Sequence, residues 1–241
     1  MCPENFTPGA APVPVLSANK LSYWFEEGGQ RQRVLQDITV DIFPGEIVFV
    51  MGPSGSGKST LLKLFGAQRA VQSGSLKVNG RELTAASAHE LVVLRRGIGF
   101  IFQSHHLLKS LTASQNVQMP LINDARHNAA SAHAAALAML EKVGLADQAN
   151  KRPGHMSGGQ NQRVAIARAL VSSPSLVLAD EPTASLDKQT GREAVNLLEN
   201  LARRNGVAIV LVTHDSRILD IADRILLLED GRLTGEERPS R

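Results

Sequence analysis

Residues Gly52-Pro53-Ser54-Gly55-Ser56-Gly57-Lys58-Ser59-Thr60 follow the pattern of a phosphate-binding loop: a glycine, four free positions, then Gly-Lys-Ser. Glycine lets the backbone curl until successive N–H groups point inward as an anion nest, and a helix starting at the loop's end adds partial positive charge. Lys58 brings a full charge for β- and γ-phosphates, and the Ser59 hydroxyl suits Mg²⁺. A flexible Gly/Ser linker would predict neither the Lys-Ser-Thr ending nor the apolar run Ile47 to Met51 directly before it. The loop therefore binds a nucleotide. By itself it does not separate kinases, GTPases, helicases and motor ATPases, which share this cradle.

A second chemical pair follows the apolar run Leu176 to Ala179, which delivers Asp180 and Glu181 at a strand's carboxyl end. There Asp180 could hold the metal or its water, while Glu181 orients and deprotonates the water that attacks the γ-phosphate. The bland alternative for Asp-Glu-Pro is a strand end with a turn. The pair His105-His106 does not suggest zinc, because adjacent side chains on an extended segment point oppositely and no Cys or carboxylate cluster accompanies them.

These groups need strands that end beside one another. Periodicity predicts strands at Val15 to Phe25, Val34 to Phe43 and Glu46 to Met51, then a helix over Lys58 to Gln68. A short strand pair surrounds Leu76 to Val78, with Ser73-Gly74 and Asn79-Gly80 as turns; a helix over Ala88 to Arg96 and a buried strand at Ile98 to Phe102 follow. From Ser104 to His155 no strand pattern occurs, and the Ala-rich run Asn128 to Val143 reads as a helix closed by Gly144. Next come a helix over Gly158 to Val171, a strand at Leu176 to Ala179, a helix over Lys188 to Arg204, a strand at Val207 to Thr213 and a last strand at Arg224 to Leu228. The alternation predicts an α/β fold with a mostly parallel sheet covered on both faces and ligands at the strands' carboxyl ends.

With these elements in place, the chain resembles the ABC-transporter ATPases, through several motifs in the right order. Met156-Ser157-Gly158-Gly159-Gln160 is similar to the family's signature, normally Leu-Ser-Gly-Gly-Gln, and Gln162 to Leu170 is similar to the signature helix. Physically, Ser157, Gly158 and Gly159 open a helix, so their N–H groups and the Ser157 hydroxyl make an anion site that needs no lysine. The resemblance implies that Ser157, Gly158, Gly159 and Gln160 act in trans, closing on the γ-phosphate held by the opposite subunit. The chain carries one P-loop and one signature, so two complete sites require two chains, related by a two-fold axis if identical.

Other residues match the family one by one. Gln103 is similar to the Q-loop glutamine that reaches Mg²⁺, Ser185-Leu186-Asp187 to the D-loop that crosses the dimer interface, and His214 to the switch histidine that contacts the γ-phosphate. Adenine needs a flat apolar partner, and Tyr23, Trp24 and Phe25 lie about where the family's stacking aromatic occurs. Tyr23 is the favoured partner; alternation puts Phe25 on the same face and Trp24 on the other. The family fold is a P-loop core of mostly parallel sheet plus an antiparallel β subdomain, with an inserted α-helical subdomain. Here that implies an ATPase domain 15–235 (core 15–103 and 157–235, helical subdomain 104–156) and a tail 236–241, while residues 1–14, rich in Pro, Ala and Gly, read as a disordered segment.

The stretch Arg95 to Gln103, with Leu107-Leu108, Leu111-Thr112-Ala113 and Asn116-Val117, is similar to the macrolide-exporter and lipoprotein-releasing branch. Gln115 to Met119 and Ser73 to Leu76 are similar to the DevA type of heterocyst glycolipid exporter subunits. The resemblance implies an exporter ATPase that binds ATP and Mg²⁺ and forms a homodimer on ATP binding. It also implies integral membrane permease subunits and a periplasmic adaptor protein as partners, and a peripheral location on the cytoplasmic face of the inner membrane.

Composition agrees with this reading. At 43% hydrophobic and 20% charged residues the chain sits in the ordinary globular range, and no uninterrupted apolar run approaches the ~20 residues of a membrane span. Residues 1–14 lack a basic region followed by an apolar block, so no secretory signal is expected there, and the single Cys2 cannot form an intramolecular disulfide. Lys and Arg number 26 against 23 Asp and Glu, scattered as pairs such as Arg95-Arg96 and Arg203-Arg204; with aromatics at 4%, no nucleic-acid partner is expected. A DNA-repair or ribosome-associated clamp built on the same engine would need a long coiled-coil insertion or a second cassette, and a small-molecule kinase would leave residues 156–160 without a purpose.

Overall fold

The computed structural model describes residues 12–122, 124–184 and 186–239; Cys2, most of the 1–14 segment and Ser185 of the expected D-loop lie outside them. The apolar runs become the strands β3 (Ile47–Met51), β7 (Leu176–Asp180) and β8 (Ala208–Val212) at the centre of a six-stranded sheet. The sheet is completed by β6 (Ile98–Ile101), β9 (Arg224–Glu229) and β10 (Arg232–Glu237), in the order β10-β9-β3-β8-β7-β6. All neighbours are parallel except β9 and β10.

These central strands show no polar alternation because both faces are covered. Ile47, Phe49, Val177, Ala179, Ile209 and Leu211 point into one apolar cluster, under α5 (Gly158–Leu170) and α6 (Lys188–Asn205). Val48, Val50, Leu176, Leu178, Val210 and Val212 point into the other, under α1 (Lys58–Phe65) and a second sheet. That second sheet is antiparallel: β1 (Leu16–Glu27), β2 (Gln30–Ile42), β4 (Ser73–Val78) and β5 (Arg81–Glu82), in the order β2-β1-β4-β5.

Between β6 and α5 the described residues contain no strand. They hold α3 (Ala113–Gln118) and α4 (Ala129–Lys142), each started by a reciprocal cap: Thr112 with Gln115, and Asn128 with Ser131. Fully buried Asn116 explains part of the branch motif: its Oδ1 accepts from Leu108 N at 2.8 Å, and its Nδ2 donates to Leu108 O at 3.1 Å and Thr112 O at 2.9 Å. One amide thus fixes the loop that leads into the helices.

Several boundaries differ from expectation. The helix expected to run to Gln68 ends at Phe65, because Gly66 caps it and Ala67 turns into the left-handed region at φ 53°, with its carbonyl held by Arg95 Nη1 at 2.9 Å. The strand at Arg224 is not the last. The chain reverses at Asp230-Gly231 into β10, and Arg224 forks onto Glu236 with Nε and Nη2 at 2.8 and 2.9 Å. Residues 236 and 237, expected in a tail, therefore belong to the sheet.

Candidate functional site

Parallel register gathers the chemistry at one sheet end. Val50 pairs with Val212, and Val212 with Asp180, so the residues that follow each strand converge: Gly52 after β3, Glu181 after β7, and Thr213 and His214 after β8. The phosphate loop wraps over this end. Gly52 has φ 155°, and a Cβ there would sit 1.9 Å from Leu228 O; Gly57 has φ 104°, and a Cβ there would sit 2.9 Å from Val34 O. Only glycine fits these positions, because β9 and β2 press directly on the loop.

Lys58 is 7% exposed, and its Nζ donates to Gly52 O at 2.8 Å and Pro53 O at 2.7 Å. Burial pushes its pKa down, opposed by the negative charges of Glu181 and Asp180. A phosphate seated in the loop would exchange two carbonyl acceptors for anionic oxygens, turning each bond into an ion pair with the ammonium. Ser56 Oγ is buried and without a partner, an orphaned donor in the same cradle.

Ser59 Oγ donates to Asp180 Oδ1 at 3.2 Å, which joins the first turn of α1 to the end of β7. A hydroxyl and a carboxylate in contact, beside an anion cradle, form an all-oxygen donor set that suits Mg²⁺, a cation held through one or two carboxylates and substrate phosphates. The residues present fit that ion. Gln103 is exposed, two residues beyond Ile101, which pairs with Ala179; this puts it at the same sheet end as Asp180, outside the cavity beside Lys58.

Glu181 adopts φ 45°, a left-handed conformation that costs a non-glycine residue on the order of 1–3 kcal/mol and clusters at functional sites. Its N–H donates to Val212 O at 2.9 Å, which holds the turn against β8 and aims the carboxylate at His214: Nε2 to Glu181 Oε1 is 3.2 Å. Glu181 and His214 border a cavity of about 380 Å³ together with Lys58, Ser59, Phe25 and Gln32.

The three aromatics near the end of β1 sit differently with respect to this cavity. Tyr23 is 7% exposed, and its hydroxyl accepts from Arg69 Nη1 at 2.9 Å; it belongs to the core of the antiparallel sheet. Phe25, on the same face as expected and edge-to-face with Tyr23 at 5.3 Å, reaches the cavity instead, while Trp24 lies under Arg31 and Arg33 at 4.5 and 5.1 Å. Gln32 and Val34, not singled out from the sequence, complete this wall from β2, and Phe25 pairs directly with Gln32 across the hairpin. The hairpin register, with the turn at Gly28-Gly29, is the signal that could have found them.

The signature residues line none of this cavity. Ser157 caps α5 as expected: its Oγ accepts from Gln160 N at 3.2 Å, and Gln160 Oε1 accepts from Ser157 N at 3.0 Å. Asp187 caps α6, its Oδ1 accepting from Gln189 N and Thr190 N at 3.0 Å each. Gly159 packs α5 on α6 so closely that a Cβ would lie 2.2 Å from Thr190 Cγ2.

Comparison with known proteins gives a consistent result. The family described as "ABC transporter" matches residues 35–184. The chain is 45% identical over 221 residues to the lipoprotein-releasing system ATP-binding protein LolD of Bordetella pertussis, covering 91% of this chain and 95% of that protein. It is 42% identical over 234 residues to the macrolide export ATP-binding/permease protein MacB of Marinobacter nauticus, covering 95% of this chain and 36% of that protein. It thus spans about a third of the length of such macrolide-export relatives. The fold superposes with a TM-score of 0.86 and 36% identity on a dimeric ATP-binding cassette, MJ0796, bound to ADP and Pi, covering 94% of this chain and 99% of that one.

Proposed function

The chain belongs to the ABC transporter ATPases, in the branch of the macrolide-export and lipoprotein-releasing proteins, and from that premise we propose that it hydrolyses ATP between two copies of itself to drive separate membrane subunits. The observation that carries this is the 3.2 Å approach of Glu181 to His214 beside the Lys58 cradle, with a second helix start, at Ser157 to Gly159, outside that cavity.

In this reading the amides of Gly52 to Thr60 cradle the β- and γ-phosphates, and Lys58 turns from the Gly52 and Pro53 carbonyls to the phosphate oxygens. Ser59, Asp180 and, on its loop, Gln103 are the residues that would hold Mg²⁺, which would supply charge neutralisation to the phosphates. Phe25 takes the adenine. Glu181 accepts the proton of the attacking water, and His214 orients the γ-phosphate. The loop amides and Lys58 supply positioning and charge stabilisation, so no covalent enzyme intermediate is needed. The signature of the opposite copy, with Asp187 beside it, completes each site. Closing on ATP and opening after hydrolysis shift a population whose size is limited by how much better ATP binds the closed dimer.

Among the described residues no helix is long and apolar enough to cross a membrane. A groove of about 430 Å³ between α2 (Ala88–Arg96), β6 and α5 is lined by Val92, Phe100, Phe102, Met119 and Arg168; Val92 and Met119 are exposed. We place the membrane subunit there, on the cytoplasmic face. Arg168 transmits its movement: Nη2 and Nη1 donate to the carbonyls of His105 and His106 at 2.7 Å each, two and three residues after Gln103. Export through that subunit is supported by the similarity to macrolide-export and lipoprotein-releasing proteins, and a periplasmic adaptor is part of the same proposal.

The test is Glu181→Gln. ATP binding is retained, turnover falls about 10²- to 10⁴-fold, and an ATP-bound dimer accumulates in light scattering. Normal hydrolysis by the variant overturns the base assignment; a strictly monomeric ATP-loaded variant overturns the shared site.

A further inference from the structure

We propose that Arg69 is a positioning residue for base recognition: it holds Phe25 as a rigid platform for the adenine ring and so sets affinity for the base, not for the phosphates. The inference rests on the reading of the Lys58 cavity as the ATP site. Arg69 follows α1, the helix whose start is the phosphate loop, and folds back onto β1. Its guanidinium carbon lies 4.7 Å from the Phe25 ring centroid and 5.6 Å from that of Tyr23, and Nη1 donates to the Tyr23 hydroxyl at 2.9 Å. Arg69 Nε is buried with no hydrogen-bond partner, so ring faces replace water around it.

Phe25 borders the cavity and Arg69 does not, so the cation acts on the ring from outside the space a base would enter. The segment carrying it is fixed. Gln72 Oε1 accepts from Trp24 N at 2.7 Å, and its Nε2 donates to Trp24 O at 3.1 Å, so Arg69 and Gln72 together grip Tyr23, Trp24 and Phe25.

Without this grip, Phe25 would be a partly exposed side chain close to a hairpin end, and stacking would have to freeze its rotamer at the moment of binding. Attraction between the cation and the ring, together with the edge contact of Tyr23, removes that entropy beforehand. A ligand without a base gains nothing from the arrangement.

Arg69→Met keeps length and packing and removes the charge. We expect the KM for ATP to rise about three- to tenfold, with kcat and the competitive affinity of inorganic tripolyphosphate unchanged. Arg69→Lys recovers part of the loss. Tyr23→Phe removes only the oxygen that accepts from Arg69 Nη1, and shifts KM in the same direction by less; it supplies the readout if Arg69→Met does not fold. An unchanged KM for ATP, or an equal loss for ATP and tripolyphosphate, overturns the proposal. Phe25→Ala separates the levels. If it raises the KM while Arg69→Met does not, the role of Arg69 fails and the ATP site stands; if the unmodified protein neither binds nor hydrolyses ATP, the underlying reading fails with it.

Discussion

Gly159→Ala tests whether the signature turn is held by helix packing. An added Cβ would meet Thr190 Cγ2 at 2.2 Å, while Thr190 Cβ and Oγ1 stay at 3.6 and 3.9 Å. The conflict is therefore with a single methyl group. Ordinary carbon contacts lie at about 3.5–4.0 Å, so that methyl must retreat by roughly 1.5 Å. It cannot do so freely: Thr190 is β-branched, sits in the first turn of α6, and its N–H is bonded to the Asp187 cap at 3.0 Å. Overpacking of this kind costs about 1–3 kcal/mol. Thr190→Ser deletes the offending methyl and keeps the hydroxyl, so Gly159→Ala/Thr190→Ser should regain most of the loss. The assay is urea unfolding of all four members of the cycle, where contacting residues show coupling of about 0.5–3 kcal/mol. ATP affinity of the isolated chain should stay unchanged throughout, because no signature residue lines the Lys58 cavity. A double variant as unstable as Gly159→Ala alone, with no measurable coupling, would refute the packing argument.

Shared sites predict complementation: Lys58→Ala and Ser157→Arg chains, each inactive, should regain part of the ATPase rate on mixing, since a mixed dimer contains one intact composite site. No recovery in a mixture shown to contain mixed dimers counts against action in trans. Acid should act on the antiparallel sheet through Glu82. Burial raises its pKa, but donors from Ser75 and Thr84, and the N–H groups of Thr84 and Leu76, outweigh this and lower it from 4.5 to about 2. A carboxyl whose folded pKa is depressed stabilises above its unfolded value, and the contribution disappears as pH falls from about 4.5 towards 2. Glu82→Gln should therefore be less stable than the natural protein at neutral pH, by at most about 1 kcal/mol for so exposed a group. The two unfolding curves should converge at the acid end; a constant gap down to pH 2 would contradict the cause assigned.

Sequence alone determined whatever rests on local order along the chain. The spacing Gly52 to Thr60 after an apolar strand specified a phosphate loop, Ser157-Gly158-Gly159 specified a helix start, and Asp180-Glu181 after Leu176 to Ala179 specified carboxylates at a strand end. Burial of whole strands was legible too, because a strand covered on both faces must be apolar at every position. Tertiary structure decided what depends on which distant segments meet. Alternation put Tyr23 and Phe25 on one face, but only the return of Arg69 and Gln72 onto β1 buries the first and leaves the second at the cavity. The parallel register of β7 and β8 brings Glu181 to His214, and the packing of α5 on α6 makes Gly159 a contact as well as a turn. The last strand was missed because Arg232 to Glu237 is mostly polar, and its place is secured by pairing with β9 and the Arg224 to Glu236 fork, not by apolar burial. Propensity and patterning act over a few residues, whereas these choices follow from close packing between segments far apart in the chain, which local sequence does not encode.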